Sequence, residues 1–317
     1  MTETRTQAEI LDDRTPGGKP IDWRRRKMAN EYLAMAYDAI DPHKAERLRG
    51  CASMLVYGVR HDPQTGEASR KLRAANFCRV RLCPICQWRR SLRLYSQMRR
   101  IMAYLADRDY RYIFLTLTVP SVSGGELSNT LDSIAEGYNR LTKYKEVAQV
   151  MQGWYRGLEI THNVWTDLYH PHLHILVAVR KSYLKSRYYL PQARWQALWE
   201  RAMGLDQAIV DVRTIKGEDA KAVCEATKYA AKSADYIIPD DWQLTIDTVA
   251  LLDAALDGRR LIGFGGALRD ARRALRLQDI ETGDLVDTDD SADGQEDEYT
   301  VSYAWHTGYT QYIRTPD

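Results

Sequence analysis

His172 and His174 stand two residues apart in the run His170-Pro171-His172-Leu173-His174-Ile175, and Glu225, Tyr229 and Lys232 recur downstream at helical spacing. On a strand, side chains at i and i+2 share a face, so the two imidazoles project together while Leu173 turns towards the core. Two imidazoles are half of a metal site. Imidazole nitrogen suits zinc, manganese, iron, nickel or copper, and an added carboxylate moves the preference towards hard ions such as Mg2+ or Mn2+. Glu159, on the preceding strand candidate, is the most economical third ligand; His162 and His170 are the alternates, because spacing does not fix the hairpin register. An HxH pair alone is more readily two solvated histidines, but four of the seven histidines fall between positions 162 and 174, which makes a cluster.

Glu225, Tyr229 and Lys232 lie along one face of a predicted helix starting at Glu218. In isolation this is an amphipathic helix with a solvated Glu–Lys pairing. Beside a metal it becomes a phosphoryl-transfer site. A phenol ionises near pH 10, so a nucleophilic tyrosine needs a cation close by to hold its phenolate and the charge growing on the phosphate. Tyr229 is then the nucleophile, Lys232 the phosphate contact, and Glu225 the base that activates water or another nucleophile for release.

The cysteines form a second constellation. Cys83-Pro84-Ile85-Cys86 is a CxxC knuckle; with Cys78 and Cys51 it supplies four thiolates for a closed, structural Zn2+ site. Arg79, Arg81, Arg89 and Arg90 flank it and are the candidate DNA contacts. Cys224, the fifth cysteine, reads as packing.

These groups need elements to hold them. Residues 1–20 read as a flexible arm, and 21–108 as basic helices with the four-cysteine zinc-binding module, including a helix from Asp22 to about Arg49 and a small hairpin after Cys51. Residues 109–240 read as the domain that carries the histidine and tyrosine groups: strands at 111–120, 154–163, 172–180 and 208–215, with helices at 127–150 and 191–203. A helical C-terminal extension over 241–278 and an acidic, disordered tail over 279–317 complete the chain. No Gly-rich dinucleotide turn follows a strand, so the expected fold is α+β, helices packed on an antiparallel sheet, preceded by the small zinc-binding module.

Charge divides the chain in the same way. The 317 residues are 44% hydrophobic with a net charge of +2, but residues 279–298 hold ten acidic and no basic side chains. Residues 1–278 carry 44 basic against 32 acidic side chains, a body that attracts polyanions with a salt-dependent affinity. No apolar run reaches membrane-spanning length, so no membrane association and a cytoplasmic location are expected.

In combination, three ordered blocks resemble the rolling-circle plasmid replication initiators of the HUH endonuclease superfamily: FLTLTVP at 114–120, HPHLHILV at 170–177 and EATKYAAKSADY at 225–236. Tyr229-Ala230-Ala231-Lys232 looks like the YxxK signature of the superfamily's single-tyrosine branch. Glu225, four residues earlier, looks like the carboxylate that replaces a second tyrosine, and GRRLIGFGGALRD at 258–270 like that branch's C-terminal signature. The resemblance spans Cys51 to Asp270 and shares the cysteine arrangement. It implies an endonuclease and strand transferase acting on single-stranded or hairpin origin DNA through a 5′-phosphotyrosine, with residues 109–240 as the nicking domain and host helicase and DNA polymerase as partners. Transposases and relaxases keep the same chemistry. A zinc-dependent DNA-binding regulator without cleavage, and a hydrolase using water throughout, are the rival readings.

Overall fold

The computed structural model describes residues 9–15, 18–215, 233–288 and 296–316. The chain divides into two compact units, residues 1–89 with 284–317, and residues 90–283. The fold class is the expected one, mixed α and β with two antiparallel sheets and packed helices.

In the first unit, α1 (Trp23–Asp38) starts at Asp22, whose side chain accepts from the Arg25 amide. α2 (Pro42–Gly50) starts at Asp41, which accepts from the Lys44 amide. The single helix expected over 22–49 is therefore two. Pro42 has no amide donor and disfavours helical backbone at the residue before it, so it ends one helix and opens the next. β1 (Met54–His61) and β2 (Ala68–Ala75) make the expected hairpin.

That hairpin is half of a sheet of order β2-β1-β8-β9, completed by β8 (Tyr299–His306) and β9 (Gln311–Arg314). The disordered tail over 279–317 is thus corrected for its last segment. Asp297 is held by Arg73 at 2.6 Å and Arg60 at 3.1 Å, and it lies against Gly58, where any Cβ would meet its carboxylate. The flexible arm is corrected in part as well. Ile10 bridges Ile313, and Asp13 accepts from Trp23 Nε1 and Tyr57 Oη, both at 2.8 Å.

α3 (Pro84–Tyr104) contains the point of division, so the boundary expected at 108/109 falls nearer Arg89. The second unit holds β3 (Tyr110–Thr118), α4 (Gly124–Leu141), α5 (Lys145–Val150), β4 (Gly153–Asn163), β5 (Leu168–Arg180), α6 (Gln192–Met203) and β6 (Val210–Ile215). A capping box, Ser123 with Glu126, starts α4. The helix expected over 127–150 is interrupted where Tyr144 takes extended backbone.

After residue 232 come α7 (Trp242–Leu256), β7 (Ile262–Gly265) and α8 (Gly266–Ala274). The sheet order is β6-β3-β5-β4-β7, so 241–278 is not merely a helical extension: it supplies an edge strand. The glycines of Gly263-Phe264-Gly265-Gly266 make that docking possible. Gly266 has φ +52°, and a Cβ there would lie 2.4 Å from the Gln152 carbonyl. Leu173, Ile175 and Val177 of the central strand are fully buried, with Trp195 and Trp199 of α6 also in the core.

Candidate active site

β5 is the middle of five strands, so the residues it presents are flanked by β3 and β4. The register pairs Glu159 with His172 and Gly157 with His174; on the other side Thr118 pairs with His172 and Thr116 with His174. Paired residues share a face, so Glu159, His172 and His174 converge as the alternation of residue types requires.

The geometry is close. His174 Nε2 lies 2.8 Å from Glu159 Oε2 and His172 Nε2 lies 3.5 Å from the same oxygen. Ligands about 2.0–2.2 Å from one ion in adjacent coordination positions are themselves about 3.0–3.5 Å apart. The group fits. All three side chains are buried, at 3%, 8% and 7% exposure for Glu159, His172 and His174, which excludes the reading of two solvated histidines. A buried carboxylate needs positive charge or hydrogen-bond donors around it, and this group could hold a metal ion.

Each Nδ1 atom has a partner of its own, so that the Nε2 atoms are the ones turned towards Glu159. The His170 carbonyl accepts from His172 Nδ1 at 3.1 Å, and Thr116 Oγ1 lies 3.4 Å from His174 Nδ1. A proton held on Nδ1 leaves a lone pair on Nε2, the tautomer a metal requires. Phe114 stacks on the His174 ring at 5.4 Å and orients it. Thr116 and Phe114 were not singled out in the sequence. The signal was the alternation in FLTLTVP, which becomes specific once β3 is registered on β5.

The alternate ligands do other work. His162 places Nε2 2.8 Å from Asp167 Oδ1 and Nδ1 3.2 Å from the Asp235 carbonyl, tying the hairpin to the segment that follows residue 232. His170 stacks on His172 at 5.2 Å, and burial, with the neighbouring His172, holds its pKa below the ordinary histidine range. Glu225, Tyr229 and Lys232, and Cys224 with them, lie outside the described residues.

The second constellation sits in the first unit. Cys51, Cys78, Cys83 and Cys86 are all buried. Their sulfurs stand 3.6 Å (Cys51–Cys83), 3.7 Å (Cys51–Cys86) and 3.7 Å (Cys78–Cys86) apart. Four sulfurs about 2.3 Å from a tetrahedral ion have edges of about 3.8 Å, whereas a disulfide would bring two to about 2.05 Å. This group too could hold a metal ion.

Local sequence builds it. Cys83 precedes Pro84, the first residue of α3, and Cys86 lies in that helix's first turn. Ala52 and Arg79, each following a cysteine, take positive φ (49° and 60°), and the amides of Cys78 and Arg79 point at Cys51 and Cys86 sulfurs at 3.4 and 3.3 Å. From α1, Asn30 Oδ1 accepts from the Cys83 thiol at 3.0 Å, while Lys27 Nζ donates to the carbonyls of Arg49 and Cys51. Burial pushes the Cys83 thiol well above the ordinary range, and hydrogen bonding to Cys78 does the same for Cys51. Thiols so disposed need a cation to become thiolates.

Of the four arginines expected to face DNA, Arg79 is exposed and Arg81 half-buried. Arg89 and Arg90 are corrected: they are 7% and 4% exposed. Arg89 donates to the carbonyls of Leu285 and Val286 at 2.8 and 2.6 Å and lies 5.3 Å from the Trp88 ring centroid, contacts that tie it into the fold.

Fold and site together define an α+β protein whose antiparallel sheet gathers a Glu/His/His group, joined in one chain to a four-cysteine module. The model of the replication protein family matches residues 69–313, more than half of the length. "Protein rep" of Bacillus amyloliquefaciens is 39% identical, covering 99% of both chains; "Protein rep" of a Bacillus species is 40% identical over 82% of this chain and 90% of its own. A third, from Streptococcus pneumoniae serotype 2, is 32% identical over 99% and 98%. The chain belongs to the replication protein family, which bears out its resemblance to rolling-circle plasmid replication initiators. No solved structure matches it. Among the described residues, no helix is long and apolar enough to cross a membrane.

Proposed function

We propose that this chain starts rolling-circle replication of a plasmid by cutting one strand at the origin, keeping the 5′ end as a phosphotyrosyl bond and leaving a 3′ hydroxyl as primer. The observation that carries the reading is the buried Glu159–His172–His174 group, with both Nε2 atoms within 3.5 Å of one carboxylate oxygen, in a chain of this family. A set of two imidazoles and a carboxylate, completed by substrate oxygens, takes Mg2+ or Mn2+. When bound, the ion supplies Lewis-acid polarisation of the scissile phosphate.

The chain's own residues do the rest. Tyr229 gives up its phenolic proton and its oxygen bonds to phosphorus, while the bond from phosphorus to the 3′ oxygen breaks and that oxygen takes up a proton. Lys232 contacts the phosphate and favours the phenolate. In release, Glu225 takes the proton of an attacking water or hydroxyl, the phosphorus–Tyr229 bond breaks, and the phenol is restored. The four-cysteine group takes Zn2+ as a structural site presenting Arg79 and Arg81 to the DNA. Single-stranded or hairpin origin DNA is the substrate; a host helicase and DNA polymerase use the exposed 3′ end. The reaction belongs in the cytoplasm.

The test is a covalent adduct on single-stranded DNA from the protein's own replicon, formed with Mg2+ or Mn2+. Tyr229→Phe should abolish it, and Glu225→Ala should form it yet release it roughly 10²–10⁴-fold more slowly. Salt-sensitive binding with no cleavage under any divalent ion would instead identify a DNA-binding regulator, and cleavage without adduct a hydrolase.

A further inference from the structure

The turn joining β4 and β5 carries Trp165, 96% exposed. A tryptophan offers some 150–250 Å² for burial, and this one contributes none of it to the fold. The turn that displays it is nevertheless fixed. Asn163 Oδ1 accepts from the amides of Trp165 and Thr166 at 3.0 and 3.3 Å, Asp167 takes a positive φ of 50°, and His162 is held between Asp167 Oδ1 and the Tyr169 ring, stacked at 4.4 Å. Tyr169 is bonded in turn through both backbone groups to Val122, at 2.8 Å each way. Such a tip holds an indole in the open by construction.

Its position relates it to the candidate site. Glu159, Thr161 and Asn163 alternate along one face of β4, opposite His172, His170 and Leu168 of β5. The metal-site face therefore runs up this hairpin to its tip. Asn163 is four residue steps beyond Glu159, about 13 Å at roughly 3.3 Å per residue, a distance that an extended single strand covers in a few nucleotides.

We infer that Trp165 is a stacking platform for one base of the single-stranded DNA, a few nucleotides from the phosphate that is cut, and so a positioning residue for the strand. Every base offers a π-face, so the contact is tolerant of sequence, and removing such a platform costs roughly 5- to 150-fold in affinity. The inference rests on the nicking reading, because it needs a single strand threaded along this face.

The experiment uses the full chain with fluorescein-labelled oligothymidylate, read by anisotropy at low salt. Trp165→Ala should weaken binding about ten-fold with the melting temperature unchanged, since the side chain touches no core. Trp165→Phe, which keeps an aromatic face, should bind within about three-fold of wild type yet lose a measurable part of the tryptophan quenching that the oligonucleotide produces. Unchanged affinity in Trp165→Ala, or full quenching in Trp165→Phe, overturns the inference; so does a Trp165→Ala defect confined to self-association or to capture of a protein partner. Adduct formation by the wild-type chain is measured alongside. Its absence defeats the nicking reading, whereas its presence with unaltered Trp165→Ala binding defeats the stacking platform alone.

Discussion

The two candidate metal centres are both buried and differ in completeness. The cysteine group draws four thiols from the loops around α2 and β2 and the start of α3, at near-equal separations of 3.6–3.7 Å for three of its pairs. The Glu/His/His group draws three donors from two adjacent strands. A tetrahedral ion among four thiolates has no position left for substrate, so its work is to hold the fold; an ion on two imidazoles and a carboxylate keeps positions for substrate oxygens. The elements differ in the same sense. Loops with positive φ wrap around the first centre, whereas the second rides on the rigid middle of a sheet, where geometry is most reproducible.

The comparison breaks most visibly at the cysteines. Structural zinc contributes on the order of 10 kcal/mol in small modules, comparable with the whole stability of a domain. Cys83→Ser should therefore lose bound zinc, seen by elemental analysis, together with cooperative melting of the unit containing it. Retention of both would make the four thiols ordinary packing. Next come the ligands of the open site. Glu159→Ala or His174→Ala should cut nicking by on the order of 10²-fold or more, the equivalent of losing about 3 kcal/mol of transition-state stabilisation, with zinc content unchanged.

The smallest effect concerns the strand that the acidic tail contributes. Arg73, and then Arg60, hold the Asp297 carboxyl below the usual carboxylate range. A depressed folded-state pKa gives stability that is present above the ordinary aspartate range and is lost as pH falls through the folded value. Asp297→Asn should lower stability at pH 7 by no more than about 1 kcal/mol, the scale of partly exposed ion pairs, and the difference from wild type should vanish in acid. Equal melting of the two at pH 7 would show that β8 is held by its backbone ladder alone.

Much of this was legible in the residues, for reasons that also mark where legibility stops. The i, i+2 rule put His172 and His174 on one face whatever the neighbours, and CPxC announced a helix start with two thiols. What the residues could not give was register: Glu159 became opposite His172 through the pairing of β4 with β5, and only then did His162 drop out as a ligand. In the tail, ten carboxylates in 279–298 mask the short alternation in Tyr299-Thr300-Val301-Ser302-Tyr303 that builds β8. The burial of Arg89 and Arg90 leaves no local mark, because a guanidinium near a basic helix start has the sequence surroundings of a solvated one. The Arg89 acceptors are carbonyls almost two hundred residues away in sequence, visible only after folding.

The most direct measurement is adduct formation on single-stranded DNA from the protein's own replicon, by protein of verified zinc content, with and without Mn2+, in the wild type and in Tyr229→Phe. The account predicts a covalent protein–DNA band in the wild type with Mn2+ and none in the other three arms. A wild-type level of adduct in Tyr229→Phe, or in the absence of any divalent ion at the Glu159–His172–His174 group, would contradict it.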